Sequence, residues 1–88
     1  MNERAGAAAW KVTTEAALLA CYDATFDAVY RYAAHLTGQR TAAEDVTQET
    51  YSRLVRAARD GRVSEIGVGW LITTARRIWL DRVRAEGR

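Results

Sequence analysis

Three arginines near the end of the chain, Arg76, Arg77 and Arg84, fall within a turn or two of one another on a helical spacing, with Arg82 and Arg88 close by. Guanidinium groups so placed suit phosphates, because each is a planar fork of N–H donors that stays charged. Two large flat rings accompany them, Trp70 at the start of the same stretch and Trp79 within it. In a protein that handles unstacked bases, such rings act as stacking platforms. The competing reading puts the tryptophans in the core and leaves the arginines on a solvated face. Trp79 lies on the apolar stripe of its segment, which favours that reading; Trp70 is open to either.

A second candidate surface lies in "TAAEDVTQETYSRL", residues 41–54. Thr41 and Glu44 have the spacing of a capping box, and Glu49 and Arg53 that of an i, i+4 ion pair, so part of this polarity is expected to be architectural. What those pairings do not explain is that Asp45, Gln48, Glu49 and Ser52 make one contiguous polar strip opposite the apolar side of the segment. Such a strip can dock a basic or polar partner.

Catalytic chemistry finds little to work with. There is one histidine, His35, and one cysteine, Cys21. No CxxC, HExxH, GxGxxG or serine-elbow pattern occurs, so neither a metal quartet nor a nucleophile with its base can be assembled. His35 reads as a surface residue or a partner for a helix C-terminus, and Cys21 as a small residue on a helix. The chain reads as a non-enzyme that needs no metal and no cofactor.

The elements that must position these groups are helices. The chain has 88 residues, 49% of them hydrophobic, and no proline. That is enough for one modest core, and the abundance of Ala, Leu, Arg and Glu favours an all-α domain. Apolar residues at Leu18, Tyr22, Phe26, Val29, Ala33 and Leu36 predict a first helix over about 14–37, capped by Thr13 or Thr14 and closed at Gly38. Ala43, Val46, Thr50, Leu54 and Ala57, widened by Tyr51, Val55 and Ala58, predict a second over about 42–58. Val68, Ile72, Ala75, Trp79 and Val83, broadened by Leu71, Thr74 and Ile78, predict a third over about 68–85, with Thr73, Arg76, Arg77, Leu80 and Arg84 opposite. Residues 1–13 are expected to be a flexible segment, with Trp10 and Val12 as possible anchors. Residues 59–69, "RDGRVSEIGVG", are expected to be a loop long enough to suspect function.

Net charge is +2, but it is unevenly spread. Residues 1–40 are balanced, 41–58 carry −1, and 59–88 carry +3, with seven arginines against four acids. Acid in the middle and base at the end point to two different partners rather than a catalytic pocket. The single cysteine excludes an internal disulfide and fits a reducing, cytoplasmic setting. No apolar run approaches the ~20 residues of a membrane span, and the N-terminus lacks the shape of a signal peptide.

Taken in order, "FDAVYRYAAHLTG", "AAEDVTQETYSRL", a loop, and "GWLITTARRIWLDRVR" resemble region 2 of bacterial RNA polymerase sigma factors of the extracytoplasmic-function group. The resemblance covers about residues 16–86. It implies a domain, residues 14–88, of a transcription initiation factor that joins core RNA polymerase and melts the promoter minus-ten element. By that resemblance Asp45, Gln48 and Glu49, with Ser52, Arg53 and Arg56 beside them, meet the clamp helices of the polymerase β′ subunit. The loop residues Arg62 and Ser64, and Trp70, Thr73, Arg76, Arg77 and Arg84 on the last helix, hold the non-template strand with a base extruded. An anti-sigma factor is a further implied partner. Members often carry an aromatic-Arg-Gly run in the loop and asparagine where Arg77 stands; this chain has neither. The C-terminal region 4 of a full factor is expected to be absent, the chain ending at Arg88. The competing class is a helical protein-interaction module without nucleic-acid binding.

Overall fold

Thr14 begins the first helix by chemistry that its sequence position already allows: it is extended (φ −128°), and its hydroxyl accepts the Ala17 N–H at 3.0 Å. The computed structural model describes residues 8–87. Residues 1–7 of the segment expected to be flexible, and Arg88, lie outside the described residues. The order is β1 (Ala9–Lys11), α1 (Glu15–Thr37), α2 (Arg40–Arg59), β2 (Glu65–Gly67) and α3 (Val68–Glu86). The three expected helices are present, packed into an all-α core.

Two short strands are an addition to that expectation. β1 pairs antiparallel with β2, Trp10 opposite Ile66, and the Val12 N–H donates to the Ser64 carbonyl at 3.0 Å. Val12 is 1% exposed and Ile66 4%. From residue 9 onward, then, the N-terminal segment is pinned, and the 59–69 segment is only partly a loop. The cause is burial: two apolar side chains in stretches without helical period are covered when the strands that carry them pair, which also satisfies the backbone.

The start of α2 departs from the expected capping box. The helix begins at Arg40 with Gln39 as its cap, and the Gln39 carbonyl accepts the first bond, from the Ala43 N–H at 2.9 Å. Thr41 is therefore already inside the first turn, where a helical backbone cannot present its hydroxyl as a cap. Gly38 (φ 72°) reverses the chain, and the Thr37 hydroxyl bonds the Gln39 N–H and carbonyl. That tight link starts the helix two residues early. α2 ends where Gly61 (φ 73°) takes the left-handed turn, with Arg62 N–H returning to the Ala57 carbonyl at 2.9 Å.

The buried face of α2 is the one its spacing predicts: Ala43, Val46, Thr50, Tyr51, Leu54 and Ala57, with Thr47 added. α1 is turned relative to its predicted stripe, and α3 is centred on the Leu71, Ala75 and Ile78 side of its predicted face. α1 buries Cys21, Thr25, Val29 and Ala33, leaving Tyr22 40% exposed; α3 buries Leu71, Ala75 and Ile78, leaving Val83 45% exposed. The small residues Ala33, Ala43 and Ala75 gather with Val46 and Ile78 in one cluster, where the three helices approach closely.

At the centre the Thr25 hydroxyl donates to the Cys21 carbonyl (2.7 Å) and lies 2.6 Å from Tyr51 Oη. Its proton being committed, Tyr51 is the donor to Thr25. Burial pushes the Tyr51 phenol up to about 12. The native chain thus holds this proton more tightly than the unfolded one, so stability is full below about pH 10 and falls as pH rises from 10 to 12. Tyr51→Phe is expected to flatten that alkaline fall and, at neutral pH, to cost about 1 kcal/mol in urea denaturation. Thr25→Val, which strands the buried phenol, costs about 1–3 kcal/mol. Thr47 Oγ1 is buried without a partner among the described residues, so Thr47→Val is expected to be neutral or stabilising by up to about 1 kcal/mol in the same measurement.

Candidate functional site

Residues on opposite edges of α2 face different neighbours. Along the edge toward α3, Arg53, Arg56 and Ala57 join Arg62, Trp70, Thr74 and Arg77 around a cleft of about 210 Å³. Along the edge toward α1, Gln48, Ser52, Val55, Arg56 and Arg59 join Tyr22 and Tyr51 around a shallow groove of about 580 Å³. Arg56 borders both.

The cleft is strongly cationic, and its arginines differ in how they are held. Glu49 Oε2 accepts from Arg53 Nε at 3.2 Å and from Arg56 at 3.5 Å, so the expected Glu49–Arg53 pair forms and is shared with a third residue. Asp60 takes Arg62 at 3.3 Å. Arg77 makes no ion pair among the described residues. Trp70 is half-buried: one part packs on the core, and another lines the cleft. Thr74, one turn on, donates its hydroxyl to the Trp70 carbonyl at 2.7 Å.

Of the residues read from the sequence as holding nucleic acid, Arg62, Trp70 and Arg77 come together here. Ser64, Thr73, Arg76 and Arg84 are exposed and do not line the cleft. Arg76 and Arg77 diverge because neighbours on a helix point about 100° apart. Arg84 is drawn to Asp81 at 3.0 Å. Trp79 packs against the small-residue cluster and is a core residue rather than a platform. Arg53 and Arg56, read as neighbours of the α2 strip, also supply half of the cleft's guanidiniums, so the two surfaces do not divide cleanly between helices.

The α2 strip is real as a surface: Asp45, Gln48 and Ser52 are exposed and Glu49 is half-buried. Gln48 and Ser52 enter the groove; Asp45 stands outside it. The groove runs into an apolar trough of about 510 Å³ that shares Tyr22, Val55 and Arg59 and adds Leu18, Leu19 and Ala58. Leu19 is 61% exposed. Sequence reading missed this trough, having placed Leu18 and Tyr22 on the core stripe. The signal was present in the second periodic row, Cys21, Thr25, Val29 and Ala33, which competes with the first.

His35 is exposed in the last turn of α1, and Cys21 is buried, its thiol pushed up by that burial. No group of three or more His, Cys, Asp or Glu among the described residues is placed to hold a metal ion. No helix among them is long and apolar enough to cross a membrane.

Residues 21–88 match the model of Sigma-70 region 2, and the chain belongs to that family. It is 34% identical over 91 aligned positions to the ECF RNA polymerase sigma factor SigE of Mycolicibacterium smegmatis, covering 99% of this chain and 35% of that protein. It is 41% identical over 90 positions to the ECF RNA polymerase sigma factor SigL of Mycobacterium tuberculosis, covering 97% of this chain and 47% of that one. The ECF RNA polymerase sigma factor BldN of Streptomyces coelicolor is 37% identical over 68 positions, 74% of this chain and 25% of that protein. The chain thus spans less than half the length of these curated relatives. No solved structure gives a significant match.

Glu49 restrains two of the cleft's cations through one oxygen. Glu49→Gln is expected to free them, and titration with a single-stranded oligonucleotide at several salt concentrations reads the result. The slope of log K against log salt should steepen by about 0.7 for each further phosphate that the freed guanidiniums neutralise. An unchanged slope would mean that the pairing does not limit anion binding.

Proposed function

We propose that this chain is the region 2 domain of a transcription initiation factor, binding core RNA polymerase and holding the melted non-template strand of the promoter minus-ten element. The observation that carries the reading is the α2–α3 cleft, which four arginines line together with Trp70. Extruding a base costs a few kcal/mol, which stacking worth about 1–3 kcal/mol per base and phosphate contacts can offset. The cleft supplies both kinds of contact. Thr73, Arg76 and Arg84 extend the cationic side of α3 along the strand's path, and Ser64 flanks it.

The α2 strip of Asp45, Gln48, Glu49 and Ser52 is the polymerase-facing surface, meeting the β′ clamp helices, with Arg53 and Arg56 at its border. An anti-sigma factor is the further partner, covering the same exposed surfaces, and the setting is the cytoplasm, where the polymerase works. No catalytic step is assigned to the domain.

The exposed apolar trough beside Leu19 and Tyr22 favours a second reading, a protein-interaction module that binds no nucleic acid. Two measurements separate the readings. Fluorescence anisotropy with a minus-ten non-template oligonucleotide is expected to show salt-dependent binding that weakens, with a shallower salt slope, in Arg62→Ala and Arg77→Ala and less in Arg76→Ala. Absence of binding at low salt favours the module. Asp45→Ala and Gln48→Ala are expected to weaken binding to a β′ clamp-helix fragment while sparing the oligonucleotide, with circular dichroism showing the helices intact. Equal β′ affinity in both variants would remove the strip from that interface.

A further inference from the structure

The side chains that line the α2–α3 cleft are one-sided in their hydrogen bonding. Arg53, Arg56, Arg62 and Arg77 offer donors only, as does the indole N–H of Trp70. Thr74 has committed its hydroxyl proton to the Trp70 carbonyl, which leaves that oxygen as the one side-chain acceptor in the lining. No carboxylate or carboxamide lines the space. Glu49, which reaches Arg53 and Arg56, stands outside the lining and meets both through the same oxygen.

A donor-lined cleft discriminates among bases. Guanine presents two adjacent acceptors, O6 and N7, on one edge, whereas adenine sets its N6 amino donor beside N7 and cytosine carries its N4 amino donor on that side. An amino group turned toward guanidiniums leaves donors facing donors, and unpaired donors in a confined site are costly. Guanine has no such conflict; thymine has none either but offers the single acceptor O4 beside its methyl group, so guanine alone presents two adjacent acceptors to a guanidinium fork. Arg77 is the group free to make the contact, since Arg53, Arg56 and Arg62 each already hold a carboxylate and Arg77 holds none among the described residues. It stands about two helical turns after Trp70, on the same face of α3 as Thr74.

We propose that the cleft reads guanine, Arg77 donating as a fork to O6 and N7 of an unstacked guanine that lies against Trp70. This rests on the reading of the cleft as a single-strand site and adds which base it accepts. A bidentate contact of this kind is the commonest specific arginine–base pairing, and its discrimination corresponds to roughly tenfold or more in affinity.

The test uses the whole chain and four fluorescent single-stranded decamers. One is all deoxyadenosine; the others carry one central guanine, 7-deazaguanine or cytosine. The guanine decamer is expected to bind at least about tenfold tighter than the all-adenine one, and the 7-deazaguanine decamer, lacking the N7 acceptor, to lose most of that advantage. Arg77→Lys, which keeps the charge and loses the fork, should bring the ratio of guanine to adenine affinities close to one. Equal binding of all four, or a preference for cytosine, overturns the guanine assignment and leaves the single-strand reading standing. A guanine preference that survives in Arg77→Lys overturns Arg77 as the reader. Failure of every decamer to bind at low salt removes the single-strand reading and the inference with it.

Discussion

Between α1 and α2, the Tyr51 hydroxyl donates to Thr25, whose own proton goes to the Cys21 carbonyl. A hydrogen bond between two buried side chains has little angular freedom, and leaving either group unpaired costs more than the bond itself contributes. The bond therefore sets how α1 is rotated against α2. Once Cys21 and Thr25 face inward, Tyr22 must turn toward the rim, where its ring meets Tyr51 edge-on at 4.8 Å and Phe26 at 5.2 Å. The trough and the groove that Tyr22 lines follow from that rotation.

Both candidate surfaces are edges of α2. The described part of the chain measures 41 × 32 × 17 Å, thin against a helix diameter of about 10–12 Å, so a helix packed on two neighbours still reaches solvent along both seams. On the α3 side the seam gathers arginines; on the α1 side it is apolar with polar ends. Glu49 sits between them, and its one oxygen draws Arg53 and Arg56 together at the border. A residue read from the sequence as part of a docking strip thus also sets how much positive charge the cleft presents.

The ribbon of β1 and β2 gives the connection before α3 its shape. Without it, Ser64 to Gly67 would have no backbone partners on one side; with it, Ile66 is driven into the core beside Val12 and Leu71. Trp70 follows four residues later, and its half-buried position depends on where that connection enters α3. The N-terminal segment therefore helps to position a residue of the cleft 60 positions after Trp10.

Spacing and composition alone determined the helices, the buried face of α2 apart from Thr47, the Glu49–Arg53 pair and the concentration of arginine toward the end of the chain. These are local properties: a 3.6-residue period and an i, i+4 separation are written in the order of residues. The capping box at Thr41 was equally legible and did not form, because Gly38 and the Thr37 hydroxyl start the helix earlier. The inward row of α1, the pinning of residues 9–12, and the meeting of Arg53 and Arg56 with Arg62 and Arg77 were settled only in three dimensions. A helix with two plausible apolar rows 100° apart does not choose between them alone; its neighbours choose, through the volumes and hydrogen bonds each rotation would bury.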